Sequence, residues 1–547
     1  MRMLSWATGR GCSIKSSKFR ESVLRISNAW LTPISSKITG RSGRSSPRES
    51  EGKEMKQRRC YSKERVKRKS KRSLQVFSAI VLVLALCAPS VLAQKSPKDK
   101  FEFPPLNPIK MPKIEMLELE NGLKVFLVED HDFPTIDIRA VVRIGSVYEP
   151  AEKTGLAAMT GTVLRSGGTA SKTGDDIDRE LESLAATIET YIGQSSGGFV
   201  SSMLKEDVDR VLAILTDILV NPAFHEDKIE LVKIQQRSGI SRRNDEVGGI
   251  TRREFRKLIY GASSPYARHP EYATIDAVTR DDIVRFYKRG FYPNNTIMTV
   301  WGDFATDEMA ERLKNTLGTW PKGTSDIPSP PKVKYEYKYT VNLVNKPDVN
   351  QSNISLGHIG GLMNNPDYPA LSVMNNILSW ERMFKRIRTD EGLAYSVWGT
   401  YGASYRHPGV FSCAAQTKSE STVYAIELML EEVRRITKEE VSDDELARAK
   451  DRYLNTYVFN FDSKAKIVNR LMTYAYNDYP MDFMETIKTG VEKVNKADVL
   501  RIAKKYLKPD KVQILVVGNK EAFDKPLSNL GEVNVIDITI PPPKSKK

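Results

Sequence analysis

The stretch "VTRDDIVRFYKRGFYPNNTIMTVWGDF" (Val278–Phe304) is matched 216 residues later by "VNKADVLRIAKKYLKPDKVQILVVGNK" (Val494–Lys520). Each runs an Asp, a helix-period segment of about ten residues, an aromatic, a Pro, and a β-rich run closing on Gly. A second pair, "HEDKIELVK" (His225–Lys233) and "SDDELARAK" (Ser442–Lys450), repeats at an offset of 217. Two matches at nearly one offset mark two homologous domains rather than a solenoid. Between them lies "PKGTSDIPSPPKVK" (Pro321–Lys334), whose four prolines in fourteen residues predict an extended, exposed linker.

Inside each half the pattern is mixed. "LKVFLVED", "IDIRAVVRIG" and "GGFVSSML" read as strands, and "DDIDRELESLAA" and "KEDVDRVLAILTDILV" as helices. In the second half "VNQSNISLGHIG", "AYSVWGTYG" and "GVFSCAAQ" read as strands. "STVYAIELMLEEVRRIT", "DDELARAKDRYLNTYV" and a segment from Lys496 to Tyr506 follow the helical period. Strand runs interrupted by paired helices predict an α+β chain of two homologous α/β sandwich domains, each a mostly antiparallel sheet with helices on one face. The expected domains are 114–320 and 339–547, joined by the linker 321–338 and preceded by an extended segment, 94–113.

The formal charge of +16 is confined to the start of the chain. Residues 1–93 hold 21 Lys and Arg against 5 Asp and Glu, which leaves 63 of each sign in the rest. A charge-neutral body has no basic footprint for nucleic acid. The basic run "MKQRRCYSKERVKRKSKRS" (Met55–Ser73) leads into the apolar "LQVFSAIVLVLALCAPSVLA", which closes on Val91, Leu92 and Ala93. This is the pattern of a secretory signal peptide cut after Ala93, with an uncleaved anchor as the alternative. It implies an exported protein of the periplasm or cell envelope with no membrane span after cleavage. Met55 is a candidate initiator, because residues 1–54 are patternless. Leu86 before Cys87 is too large for a good lipoprotein signal. Past Ala93 only Cys413 remains of four cysteines, so no internal disulfide is expected.

"TGLAAMTGTVLRSGGT" (Thr154–Thr169) reads as an amphipathic helix with Leu156, Met159, Val163 and Leu164 on its apolar face. Its other face carries Ala158, Gly161 and Thr162, which offer a metal nothing strong. With "LENGLKVFLVEDHDFPTIDIRAVVRIGSVYEPAEKTGLA" just before it, the segment resembles the opening of the pitrilysin/insulinase family of zinc peptidases, which includes the mitochondrial processing peptidases. The resemblance runs from 114 to 530. In that family Gly-Leu-Ala is followed by His-x-x-Glu-His, whose two His bind zinc and whose Glu is the general base, and a distal Glu is the third ligand. Here Ala158 and Thr162 stand in place of the histidines and Gly161 in place of the base. The distal Glu-x6-Glu pair keeps Glu230 but has Arg237 at the ligand position. The resemblance therefore implies a degenerate site that binds no cofactor, with zinc expected in a partner subunit.

No other residues rescue a metal site by sequence. The histidines at 131, 225, 269, 358 and 407 show no His-x3-His spacing, and Cys413 sits in an apolar strand as a core residue. One family motif survives, in "FKRIRTDEGLAYSVWGTY" (Phe384–Tyr401), where Arg388 and Tyr395 match the Arg-x6-Tyr pair that faces the zinc from the C-terminal domain. The resemblance implies that Arg388 holds substrate carbonyls and that Tyr395 holds the scissile carbonyl. The alternative is an Arg388 paired with Asp390 or Glu391 and a Tyr395 packed in the sheet. The expected function is that of a non-catalytic, substrate-binding subunit of an exported heterodimeric zinc peptidase. Its partners would be a zinc-bearing homologue and an extended peptide; the alternative is an inactive scaffold or binding protein of the cell envelope.

The leader yields a direct test. N-terminal sequencing of the mature protein is expected to begin at or near Gln94, and an intact leader on a cytoplasmic protein would overturn the signal-peptide reading.

Overall fold

Residues 136–140 alternate apolar and polar, and in the computed structural model they lie in a strand, Thr135–Val142, that buries Ile136, Ile138, Ala140 and Val142 on one face. The structure describes residues 111–324 and 329–543. The leader expected at 1–93 and most of the 94–113 segment lie outside the described residues. All the described residues belong to one compact unit, Asn107–Lys547. None of their helices is long and apolar enough to cross a membrane.

The first sheet contains β1 (Glu115–Glu118), β2 (Lys124–Glu129), β3 (Thr135–Val142), β4 (Thr187–Ile192), β5 (Gly197–Leu204) and β6 (Thr296–Gly302), in the order β1-β2-β6-β3-β5-β4. The second half supplies β7 (Thr340–Asn345), β8 (Gln351–Ile359), β9 (Gly361–Leu362), β10 (Ala394–Tyr401), β11 (Ala403–Ser404), β12 (Val410–Lys418), β13 (Gln513–Gly518) and β14 (Val533–Val535). Its main sheet runs β10-β12-β8-β13-β7-β14, while β9 and β11 form a small parallel pair. Five strands of each sheet thus correspond one to one, β2-β6-β3-β5-β4 with β7-β13-β8-β12-β10. Both sheets are antiparallel except along the pairs β2–β6, β13–β7 and β14–β7. The sixth strand occupies the same edge in both sheets but comes from opposite ends of its half: β1 precedes β2, and β14 follows β13. The chain is therefore the expected pair of α+β sandwiches.

Helices cover one face of each sheet and bury two large cores, one per half. To this the structure adds an exchange. Helix Val247–Tyr260 of the first half lays Ile250, Phe255 and Ile259 on the second sheet, against Val344, Ile359, Leu515 and Val517. Helix Lys464–Asn477 of the second half lays Val468, Met472 and Tyr476 on the first sheet, against Phe126, Val128 and Ile297. Each fully buried apolar side chain of this kind contributes roughly 1.5–3 kcal/mol. Polar contacts fix the crossings: the Gln513 amide donates to the Leu258 carbonyl at 2.6 Å, and the Tyr476 hydroxyl donates to the Ser195 carbonyl at 2.7 Å. The described end of the linker, from residue 329, is partly docked, since the Tyr266 hydroxyl donates to the Pro331 carbonyl at 2.9 Å and Val333 packs beside the exchanged helix.

The helix Leu156–Ser166 is set by its ends and by one glycine. Gly155 before it adopts φ +109, which suits a residue without Cβ. The buried Glu149 carboxylate accepts the Gly155 N–H at 3.0 Å and the Ala157 N–H at 2.8 Å, satisfying donors that a helix start leaves open. Burial pushes this carboxyl upward, against the pull of those two N–H groups. Gly161 then faces β4, where a Cβ would lie 2.3 Å from the Ile192 nitrogen and 2.7 Å from the Tyr191 carbonyl carbon. The Thr190 hydroxyl donates to the Gly161 carbonyl at 2.6 Å, tying helix to strand at this close approach.

Two stability measurements check this packing. Ala at position 161 gains about 1 kcal/mol of helix propensity but meets backbone, which costs about 1–3 kcal/mol, so Gly161→Ala is expected to lower the denaturation midpoint; a neutral or stabilised variant would refute the close approach. Ile250→Ala is expected to cost about 2–5 kcal/mol and to speed amide exchange in β13, which belongs to the other half. Exchange that speeds only in the first half would contradict the helix exchange.

Candidate functional site

The helix that the resemblance aligns with the zinc motif and the helix aligned with its distal ligand share one core. Leu156, Met159, Val163 and Leu164 of the helix Leu156–Ser166 pack with Ile229, Val232 and Ile240 of the helix Glu226–Ser241. Ala158 and Thr162 are exposed, four residues apart on one face, and the Thr162 hydroxyl donates to the Ala158 carbonyl at 3.1 Å. Gly161 differs from its place in the sequence reading. It is buried in the helix–strand contact rather than lying on the exposed face with Ala158 and Thr162, because only a residue lacking Cβ allows that approach to β4.

Glu230 is exposed and accepts from Lys233 at 2.8 Å. Arg237 is paired with Asp276 at the end of the short helix Tyr272–Asp276, its Nε donating at 2.9 Å. These residues do not fit a zinc ion. A methyl, a hydroxyl already bonded to its own helix and a cation supply no ligand set, whereas a catalytic zinc takes three protein ligands and a water. Among the described residues no group of three or more His, Cys, Asp or Glu is placed to hold a metal ion. His358 is buried, held through Nδ1 to the Ile359 carbonyl at 2.7 Å, and its Nε2 accepts the Lys508 N–H at 3.1 Å. Burial lowers it to about 4, so it is a neutral core residue at pH 7. Cys413 is likewise buried in the second core.

Arg388 and Tyr395 meet in the second half. Arg388 stands near the end of a π-helix, Ile377–Asp390, a winding frequent at functional sites. That helix is anchored by Arg382, only 3% exposed, whose Nε lies 2.9 Å from Glu445 and whose Nη1 lies 3.7 Å from the buried Glu432. Glu381 adds contacts to Arg448 at 3.0 Å and Arg452 at 3.4 Å. The ladder between β10 and β12 shifts register between Ala394 and Ser396, so Tyr395 is a bulge residue. Bulges of this kind re-aim a side chain. The Arg388 Nη1 donates to the Tyr395 carbonyl at 2.8 Å. Its guanidinium lies 4.8 Å from the ring centroids of both Phe384 and Tyr395.

Neither of the bland alternatives describes this pair. The carboxylate of Glu391 is taken by Arg386 at 2.7 Å, and Tyr395 is 81% exposed rather than packed in the sheet. Its hydroxyl has no protein partner among the described residues. A cavity of about 280 Å³ adjoins the pair and brings in Trp380, Phe384 and Trp398, which the sequence reading did not single out. Trp380 and Phe384 carry a readable signal, since they precede Arg388 at intervals of four in "WERMFKRIR". The bulge has no such signal.

Comparison with known proteins follows the same division. The family model "Insulinase (Peptidase family M16)" matches residues 124–249, and "Peptidase M16 inactive domain" matches 277–453. An uncharacterized zinc protease of Rickettsia bellii is 25% identical over 61% of this chain and 80% of its own length. A Helicobacter pylori protein named non-peptidase homolog YmxG is 22% identical, covering 73% of this chain and 92% of its own. The crystal structure of a peptidase M16 inactive domain from Pseudomonas fluorescens superposes with a TM-score of 0.68 at 22% identity, over 76% of this chain and 99% of that one. Two matched domains in the right order, on the right fold, place this chain in peptidase family M16, the insulinase family.

Proposed function

We propose that this chain is the non-catalytic, substrate-binding subunit of an exported heterodimeric zinc peptidase, lending Arg388 and Tyr395 to the metal site of a zinc-bearing homologue. The observation that carries this reading is the Arg388–Tyr395 pair: an exposed phenol on a β-bulge, its backbone gripped by a guanidinium that no carboxylate claims. The first half supports the division of labour, since Ala158, Gly161, Thr162 and Arg237 leave nothing to hold a zinc there. Export rests on the signal-peptide pattern ending at Ala93.

In this role the partner's zinc would polarise the scissile carbonyl and activate water. The Tyr395 hydroxyl would donate to the oxygen that gains charge, and Arg388 would hold neighbouring carbonyls of an extended peptide. The edge strand β4 has a neighbour on one side only and can add a peptide strand there, whereas the outer N–H and C=O groups of β10 at Gly399 and Tyr401 are taken by Ser379 and Asn375. The alternative, an inactive scaffold, is favoured by one detail: Arg388 already donates to a carbonyl of its own chain.

The two readings part under mutation. The chain alone is expected to show no peptidase activity, and a mixture with the zinc-bearing partner to show it. Arg388→Ala and Tyr395→Phe are each expected to lower turnover by about a hundredfold, with Arg388→Ala also raising KM, while assembly is retained. Full activity of the double variant in an assembled complex would establish the scaffold instead.

A further inference from the structure

A cavity of about 640 Å³ lies beside the exchanged helix Lys464–Asn477, bounded by the first sheet and the loop Ser404–His407. Four of its lining side chains are cationic (Arg139, Arg406, Lys466 and Arg470), and no Asp or Glu lines it. The bias is local, since the chain beyond residue 93 carries 63 side chains of each sign. Two of the four are neutralised from outside the cavity: Arg406 by Asp478 at 3.2 Å and Lys466 by Asp462 at 2.6 Å. The other two are not. Arg139 projects from β3 with no side-chain hydrogen bond or ion pair among the described residues. Arg470 donates only to neutral acceptors of Asn460, the carbonyl at 3.0 Å and the side-chain oxygen at 2.8 Å.

Two of the guanidiniums are also held in place. Arg470 lies 5.2 Å from the Phe461 ring centroid, and Arg406 lies 4.9 Å from that of Tyr476. Planar forks held against rings lose little freedom on binding and match a carboxylate with two parallel N–H donors. Burial, aided by Arg256, lowers His407 to about 4, so that neighbour adds no charge at neutral pH. The remaining wall mixes hydroxyl and amide groups (Ser195, Asn469, Thr473) with apolar surface (Val141, Met472), which suits a peptide backbone between charged anchors.

We infer that this cavity binds a carboxylate of an extended peptide, supplied by an acidic side chain or by the chain's C-terminus, with Arg139 and Arg470 as its anchors. The inference rests on the peptide reading proposed above and names the class of peptide that reading would favour.

Fluorescence anisotropy of the full chain tests it, with four labelled unstructured peptides as probes: a central Asp-Glu pair or its Asn-Gln counterpart, each with a free or an amidated C-terminus. A peptide carrying the preferred carboxylate is expected to bind about tenfold more tightly than the fully amidated Asn-Gln peptide, about 1.4 kcal/mol, with the preference shrinking as salt rises. The four probes show which carboxylate is read. Arg139→Gln is expected to abolish most of the preference, and because the Arg139 side chain makes no hydrogen bond or ion pair among the described residues the melting temperature is expected to stay unchanged. Arg470→Gln is a second, independent variant. Equal binding of all four peptides, or a preference that survives both substitutions, overturns the inference. Failure of Arg388 and Tyr395 to affect a partner's turnover, with the carboxylate preference intact, would instead defeat the subunit reading alone.

Discussion

The two halves are locked together because each covers a sheet face that the other cannot. Each sheet carries buried apolar side chains on both of its faces, so both faces need cover. In each half the local helices supply one side only, and the exchanged helices Val247–Tyr260 and Lys464–Asn477 supply the other. Neither half can withdraw without exposing Val344, Leu515 and Val517, or Phe126, Val128 and Ile297. The polar contacts at the seam are organised around the same helices. Tyr476 lies beneath two guanidiniums, Arg143 at 5.7 Å and Arg406 at 4.9 Å, and Asp478 at the end of its helix pairs with both. Sites that draw on both halves, such as the cation-lined cavity, inherit their geometry from this seam.

On that common frame the halves use equivalent elements differently. In the first, the helix after β3 ends at Ser166 and presses Gly161, which the resemblance aligns with the general base, into β4, where a Cβ has no room. Ala158 and Thr162, aligned with the two histidines, stay exposed on the same helix. In the second half the matching segment, Tyr368–Asn376, runs on into the π-helix Ile377–Asp390 and delivers Arg388 to the bulge at Tyr395.

The duplication was legible because the repeated unit carries its own punctuation, a capped helix followed by a strand that closes on Gly. Thr279 and Asn495 do form capping boxes with Asp282 and Asp498, and Gly302 and Gly518 end matched strands. The shared exposed face of Ala158 and Thr162 was legible because spacing four apart puts them together on one helical face whatever the tertiary structure. Gly161 was misplaced because a helical wheel does not know which neighbour approaches, and that contact comes from β4. The exchanged helices were missed for a related reason. Ile250, Phe255 and Ile259 show that a face is buried, but nothing in their spacing says that the burying partner lies in the other half. Tyr395's exposure depends on a register shift in the ladder, which leaves no mark in composition or period.

The ion pairs beneath the π-helix bear on what that helix is for. Burying Arg382 between Glu432 and Glu445 costs several kcal/mol of desolvation per ion, and such a pair is often no more stabilising than well-packed apolar residues of the same volume. What an ion pair supplies that apolar packing does not is register, because a guanidinium held between two fixed carboxylates has one place to sit. Arg382 thereby fixes the rotation and height of the helix against Thr422–Ile436 and Asp443–Tyr457, which carry its two partners. Six residues on, that same register decides whether the Arg388 Nη1 reaches the Tyr395 carbonyl at the bulge. A costly buried anchor therefore sets the position of an exposed pair that the core itself does not need.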